Sequence, residues 1–283
     1  MNNSIDAILS QYEKNTQPAA SGNRMSEEDR LKRYFTTVLP KGTNSGQKRI
    51  RILPTPDGSS PFKEAQFHEV QIGGKWVKLY DPAQDGQRSP LNEVRDALMA
   101  TGSEDDKVLA RNYRARKFYI VKVIDRENEA DGPKFWRFKH NYKGDGALDK
   151  IIPIIRSKGN ITDMLEGRDL IISLAVTKAN NGREYTTINS IIQEDKSPLH
   201  EDMEVANEWV NHPDTWKDVY SIKPIEYLEL VAQGENPVWS KESGKFVSSS
   251  ESEDDFGGGV SMSAKVQVED PQIEQEADDD LPF

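Results

Sequence analysis

Residues 170–192 read LIISLAVTKANNGREYTTINSII, and this stretch decides the fold class. Apolar runs stand on both sides of Asn180-Asn181-Gly182, and Asn-Gly favours the tight turn of a β-hairpin because both residues tolerate positive φ. We therefore predict two antiparallel strands, at 170–177 and 184–192. Direct hairpin pairing argues against a parallel α/β arrangement, in which helices connect the strands.

More strands are predicted upstream of this hairpin. Gly73-Gly74 supplies a turn between two of them, a polar loop joins two others, and a strand of alternating polar and apolar residues ends at Pro54. These strands are expected at 48–53, 66–72, 76–80, 113–125 and 134–140.

Apolar residues at helical spacing predict helices between the strands and after them. The expected positions are the stretch after Pro90, 147–155 with an interruption at Pro153, 202–210 and 224–232. The predicted fold is mainly β with α (α+β), an OB-fold-like barrel with helical insertions and C-terminal helices. The expected organisation is an N-terminal arm at 1–23, a core at 24–247 and a disordered acidic tail at 248–283.

The formal net charge of −11 hides a segregation of charge along the chain. Residues 24–143 contain 24 Lys/Arg and 17 Asp/Glu, a net charge of +7, whereas residues 144–250 carry −7 and residues 251–283 carry −10. A basic block therefore lies among acidic segments. Basic clusters of this kind favour polyanionic ligands.

The acidic tail ends in a short apolar tip. A solubilising tail is one interpretation, but an apolar end beside a carboxylate also suits a basic-rimmed pocket on a partner protein. We expect the tail to dock on partners and to compete with a polyanionic ligand for the basic block. The candidate partner-binding residues are Asp278, Asp279, Asp280, Leu281, Pro282 and Phe283.

Composition excludes several function classes. The chain has no cysteine, so disulfides and thiolate catalysis are excluded, and it has no apolar run of transmembrane length. Its four histidines are scattered, and 42–48 lacks the spacing of a phosphate-binding loop. We expect a soluble intracellular protein without enzymatic activity, metal or cofactor.

Cations and aromatic rings are interleaved through the basic block. Single-stranded nucleic acid exposes a charged backbone and the faces of its bases, so its binders combine cations with stacking rings. Because neighbours in a strand point to opposite faces, we expect only about half of the rings to reach a groove and the others to join the core. The candidate DNA-binding residues are Arg49, Arg51, Lys75, Trp76, Arg111, Tyr113, Arg114, Arg116, Lys117, Tyr119, Lys134, Trp136, Arg137, Phe138 and Lys139.

A series of ordered landmarks resembles the single-stranded DNA-binding, helix-destabilising proteins of T-even-like tailed phages. The landmarks are 50–54, Pro61-Phe62, His68 with Gly74-Lys75-Trp76, 135–139 and 149–151. The resemblance covers roughly 48–173 and is weaker to 232. It implies a protein that coats and protects single-stranded DNA during phage replication, recombination and repair, in the cytoplasm of the infected bacterial host.

The resemblance also implies partners. The acidic tip is similar to that of bacterial single-stranded DNA-binding proteins, which implies recruitment of phage or host replication and recombination proteins. Self-association along DNA is a property of the family, but its arm is basic, whereas 1–23 contains only Lys14. We expect Ile5, Ile8 and Leu9 to provide an apolar contact in its place.

One departure concerns the structural zinc that family members bind through one His and three Cys. His68 stands at the matching place, but Ser89-Pro90-Leu91-Asn92 and Asp81 replace the cysteines. A single His with such oxygen donors is a poor ligand set for zinc. We therefore predict that the zinc site is lost and that packing stabilises the segment 80–99.

Two alternative functions remain open from the sequence. An RNA-binding or translational-control protein would use the same groove. A nuclease or recombination enzyme with a degraded motif would need a carboxylate cluster, and no such cluster stands out in the sequence.

Overall fold

The computed structural model describes residues 27–179, 182, 184–220, 222–240 and 242–250. The predicted arm, the turn residues Asn180 and Asn181, and the acidic tip lie outside these residues. Ser248 is buried and is the last residue of a strand, so the predicted start of the tail falls inside the folded part.

Ten strands and seven α-helices make up the described part of the chain. The strands are β1 Tyr34–Phe35, β2 Ser45–Ile52, β3 Lys63–Ile72, β4 Lys75–Tyr80, β5 Ala115–Asp125, β6 Lys134–Lys139, β7 Arg168–Lys178, β8 Glu184–Lys196, β9 Pro237–Ser240 and β10 Lys245–Ser248. The helices are α1 Glu27–Lys32, α2 Pro90–Ala100, α3 Glu104–Asn112, α4 Ala147–Lys158, α5 Met203–Val210, α6 Trp216–Val219 and α7 Ile225–Ala232.

Eight strands form one mixed sheet, in which β1 pairs in parallel with β6 and the other pairs are antiparallel. The main hydrogen-bonded order is β1-β6-β5-β2-β7-β8, and β3 adds to β5 and carries β4. The remaining strands, β9 and β10, form a separate hairpin. The mixed α+β class is confirmed, but no hydrogen bonds close a barrel within the described residues.

The sheet curls around its main core. Trp136 from β6 and Ile191 from β8 join one apolar cluster although their strands stand far apart in the sheet order. Ile151 and Ile154 of α4 enter the same cluster. Burial of these two side chains holds α4 as one helix through Pro153, so the predicted interruption is wrong.

The other face of the β3–β5–β6 region is also covered. Phe67, Phe118 and Phe135 form a second cluster with Val219, the last residue of the short helix α6, and with Tyr220, which follows it. Both faces of these central strands are therefore buried over much of their length, and only their ends reach solvent.

The three predicted hairpins are present, because glycine turns and alternating side chains are local signals. The helix α3 was not predicted, although its first turn, Glu104-Asp105-Asp106, is acidic. Carboxylates at a helix N-terminus favour the helix dipole, which is the signal that was missed. Within the described part of the chain, no helix has the length and apolar character needed to cross a membrane.

Candidate nucleic-acid interface

A polar cavity lies where β3 and β5 approach the loop between α3 and β5. Its volume is about 430 Å³. We call it the Arg114 cavity, and it is lined by Gln66, Asp81, Ala83, Gln84, Asn92, Arg95, Arg114, Ala115, Lys117 and Tyr142. Three cations and one carboxylate give the lining a positive balance.

The cations of the Arg114 cavity differ in their partners. Lys117 Nζ lies 2.9 Å from Glu64 Oε2, and this hydrogen bond raises the pKa of Lys117 and lowers that of Glu64. Arg95 pairs with Asp96, its neighbour on α2. Arg114 is exposed and forms no ion pair with any described residue. Arg114 is therefore available to an anionic ligand, and Lys117 is held only by a half-exposed carboxylate.

An exposed ring stands at the rim of the cavity. Tyr142 follows β6 and is 75% exposed. The Asn141 side chain accepts a hydrogen bond from the backbone N–H of Lys143 at 2.8 Å, which fixes the turn that carries the ring. The ring packs edge-on against His140, with 4.4 Å between the ring centroids. Its outer face is left open for stacking.

Hydrogen bonds build the inner wall of the cavity. His68 Nδ1–H donates to the Tyr113 carbonyl at 2.8 Å, and His68 Nε2 lies 3.4 Å from Asp81 Oδ1. Asn92 Nδ2 donates to both Asp81 oxygens, at 3.1 and 3.0 Å. Burial favours the neutral form of Asp81, but the nearby polar side chains of His68 and Ser89 and the hydrogen bonds from the Ala83 N–H and Asn92 outweigh it and lower the pKa of Asp81 well below its usual range.

This wall contains the residues that stand in place of the zinc ligands. In the described ranges, no group of three or more His, Asp or Glu has an arrangement that could hold a metal ion. His68 and Asp81 are both buried, and their hydrogen bonds connect β3, the segment before α2 and the loop before β5. The predicted packing of 80–99 is therefore supplemented by a buried polar network.

A second accessible surface lies on the opposite side of β3. Strand register places Trp76, Lys78, Glu69, Arg116 and Lys139 on one side of the sheet. Glu69 is buried and holds Arg116 at 3.0 Å and Lys139 at 2.6 Å. Trp76 is 43% exposed. We call this surface the Trp76 face; like the cavity, it combines cations with a ring.

Some predicted cations are structural, because carboxylates in the core neutralise them. Arg51 is 0% exposed and lies 2.9 Å from Asp169, which also pairs with Arg49 at 3.0 Å and Arg126 at 2.9 Å. We call these four residues the Asp169 cluster. Burial lowers the pKa of Arg51, and Asp169 opposes that shift. Arg51 does not reach a surface in this structure, so its prediction as a DNA contact needs correction; Arg49 is half-exposed but held by Asp169 and Glu194.

Two further predicted cations are also buried, one among carboxylates and the other among aromatic rings. Lys134 pairs with Asp125 at 3.3 Å and Asp131 at 2.8 Å. Arg137 stacks against aromatic rings, with its Cζ 4.2 Å from the Tyr220 centroid and 4.7 Å from that of Phe67. Both side chains complete the fold beneath the surface and correct the prediction that they line a groove.

Three predicted rings belong to the main core. Tyr119, Trp136 and Phe138 are buried in one cluster, and the Trp136 and Phe138 centroids are 4.5 Å apart. They share one face of the sheet because their register positions alternate consistently. None of them presents a face to solvent for stacking on a base.

The remaining predicted residues lie near the surface. Lys75 and Arg111 are exposed, and Tyr113 is half-buried beside the cluster around α7.

The structure thus gathers Arg114 and Lys117 at the cavity, and Trp76, Arg116 and Lys139 on the Trp76 face. Four residues of these two surfaces were not predicted from the sequence, namely Gln66, Arg95, Lys78 and Tyr142. For Tyr142 the sequence does contain a signal, because this aromatic residue lies in a turn sequence two residues after the predicted cation-rich strand at 134–140.

Comparison of the sequence with protein-family models found no match, and comparison with curated proteins found no significant match.

Proposed function

We propose that the protein coats single-stranded DNA and that the strand contacts the Arg114 cavity and the Trp76 face. The observation that carries this proposal is the Arg114 cavity, where an arginine with no acidic partner among the described residues lies beside a ring that is 75% exposed. Cations attract the phosphate backbone, and an open ring accepts the face of an unpaired base.

The combination favours single strands over duplex. A duplex hides the faces of its bases, so an exposed ring adds little to duplex affinity, whereas each base stacked on an aromatic side chain contributes about 1–3 kcal/mol. Trp76 and Tyr142 provide two such rings on the described surface.

The curled sheet supports an OB-fold-like core as part of the proposal. Strands β2, β5, β6, β7 and β8 contribute to one apolar cluster, and α4 packs against it between β6 and β7 in the chain. A five-stranded, partly open barrel is the arrangement of OB-folds, which bind oligonucleotides.

We also propose membership of the phage single-stranded DNA-binding family, with the buried contacts of His68, Asp81 and Asn92 in the place of its zinc. The protein would act without enzymatic activity in the cytoplasm of the infected bacterium. The six C-terminal residues would recruit replication and recombination proteins. Stoichiometric zinc in purified protein would contradict the proposed loss of the metal.

A fluorescence titration tests the proposed function. Oligo-dT should quench the fluorescence of Trp76, whereas a duplex of equal length should bind weakly and quench little, and Trp136 should not respond because it is buried. Replacing Trp76 by Phe should remove the quench while anisotropy still reports binding. Equal affinity for duplex and single strands would contradict the proposal, and tighter binding of single-stranded RNA would favour an RNA-binding function.

A further inference from the structure

One glutamine in the Arg114 cavity is held rigidly from both sides. Gln66 pairs with Lys117 of β5 on one side. On the other side the Gln84 side chain acts like a neighbouring strand: its Nε2 donates to the Gln66 carbonyl at 2.9 Å, and its Oε1 accepts from the Gln66 N–H at 2.9 Å. The backbone of Gln66 is therefore fixed, and its side chain lines the cavity.

Of the three amide side chains in the cavity, two already bond to other groups of the protein, although the buried Asn92 oxygen has no hydrogen-bond partner among the described residues. Both ends of the Gln84 amide bond to backbone groups, and the Asn92 amide nitrogen bonds to Asp81. The Gln66 amide is exposed and makes no hydrogen bond with any described side chain or backbone group. The amide nitrogen of Gln66, with its two N–H donors, and the amide oxygen, as acceptor, are thus available to a ligand.

The surroundings of the Gln66 amide suit one nucleotide. Arg114 and Lys117 provide positive charge for a phosphate, and Tyr142 provides a ring for the base. The volume of about 430 Å³ lies within the usual range for small-ligand sites. A glutamine amide matches adenine, because its N–H donates to N7 while its oxygen accepts from the N6 amino group.

We infer that the Arg114 cavity holds one base of the bound strand and that Gln66 reads the edge of that base, with a preference for adenine. This inference rests on the proposed function and adds base selectivity to it. The coat would then bind any single strand but settle in a register that places adenine in the cavity.

Anisotropy competition with short oligonucleotides tests the inference. The probe is oligo-dT of about twelve nucleotides, within the range of one OB-fold site, and the competitors carry one central dA, dG, dC or 7-deaza-dA. The dA competitor should bind about fivefold more tightly than oligo-dT, the low end of the discrimination by a bidentate pair. The 7-deaza base lacks N7 and should lose that advantage.

Two variants separate edge reading from stacking. Gln66→Leu should bind all competitors equally, whereas Gln47→Leu, a change of an exposed glutamine in β2, should keep the preference for dA. Preference for another base, a dA preference that survives Gln66→Leu, or equal binding of all competitors by the wild type would overturn the inference while leaving single-strand binding intact. Absence of any single-strand binding would overturn the proposed function itself.

Discussion

The Asp169 cluster and the Arg114 cavity use the same residue types in opposite ways. In the Asp169 cluster, a buried carboxylate holds three arginines, and Arg51 has no exposed surface. In the cavity, Lys117 pairs with a carboxylate that is itself more than half exposed, and Arg114 pairs with none of the described acids. A phosphate can compete for the second kind of cation, whereas Arg51 has no surface that a phosphate could reach.

The difference is energetic as well as geometric. Removing one partner of a buried ion pair costs roughly 3–5 kcal/mol, because a charge is left without compensation, whereas an exposed pair contributes about 0–1 kcal/mol. In these two regions, ion pairs with both partners buried stabilise the fold, and exposed cations are available for binding. Burial of the acid alone does not decide the role of the cation, since the Arg116 side chain on the Trp76 face is 41% exposed although its partner Glu69 is buried.

The largest expected effect comes from the Asp169 cluster. Asp169→Ala leaves Arg51 buried without its carboxylate and should lower the free energy of unfolding by about 3–5 kcal/mol. Urea denaturation measures this loss. The remaining folded protein should bind oligo-dT with wild-type affinity, since the cluster is not in the proposed interface. A loss below about 1 kcal/mol, or a selective loss of DNA affinity, would remove the distinction between the two regions.

Asp81 provides an intermediate case, since its carboxylate is buried but borders the cavity. Its lowered folded-state pKa means that its ionised form stabilises the fold above its unfolded pKa, near 3.8, and that this contribution is lost as the pH falls toward the folded value. Asp81→Asn should lower stability at pH 7 by about 1–3 kcal/mol, because Asn92 and the Ala83 N–H lose a charged acceptor. In thermal unfolding between pH 2 and 7, the unfolding midpoint of the variant should fall less than that of the wild type as the pH is lowered. Parallel plots of unfolding midpoint against pH for the two proteins would contradict this account of the inner wall of the Arg114 cavity.

Tyr142 should matter for binding and not for folding. Tyr142→Ala should weaken oligo-dT binding by about 1–3 kcal/mol, roughly 5- to 150-fold in Kd, because one stacked base is lost. The midpoint of thermal unfolding should hardly change, since the ring is 75% exposed. The control, Tyr142→Phe, keeps the ring and should retain most of the affinity. An alanine variant with wild-type affinity would show that the strand does not pass the cavity.

Arg114 should contribute through charge. Arg114→Ala should reduce the slope of log affinity against log salt by about 0.7, the value for one phosphate on a single strand. The matched control is Arg156→Ala, which removes an exposed arginine from α4 outside the cavity and should leave the slope unchanged. Equal slopes for the two variants would place the phosphate contacts elsewhere.

The smallest effect is expected at the exposed pair. Glu64→Gln removes the acid that holds Lys117, so the pKa of Lys117 should fall toward its ordinary value and the cation should become free for phosphate. Affinity for oligo-dT should rise about twofold at low salt, in line with the small energy of surface pairs, and the gain should shrink at high salt. Weaker binding by the variant would indicate that Glu64 positions Lys117 for the strand.

The hairpins were predictable because turns and alternation are local, whereas the roles of the cations were not. Arg51 and Arg114 look alike in sequence, but Asp169 lies 118 residues from Arg51 along the chain. Alternation in β6 correctly divides its residues between two faces. It does not reveal that Tyr220, 85 residues after Phe135, covers the second face, so Arg137 was assigned to a groove. Partners of this kind become visible only when the chain is folded.

Photo-crosslinking tests the proposed location of the strand most directly. Full-length protein is irradiated with oligo-dT containing 4-thiothymidine, and the crosslinked peptides are identified by mass spectrometry. The account predicts crosslinks at Tyr142 and Trp76 and none at Arg51 or Asp169. Crosslinks confined to β7 and β8, with Tyr142 and Trp76 unmodified at saturating oligonucleotide, would contradict it.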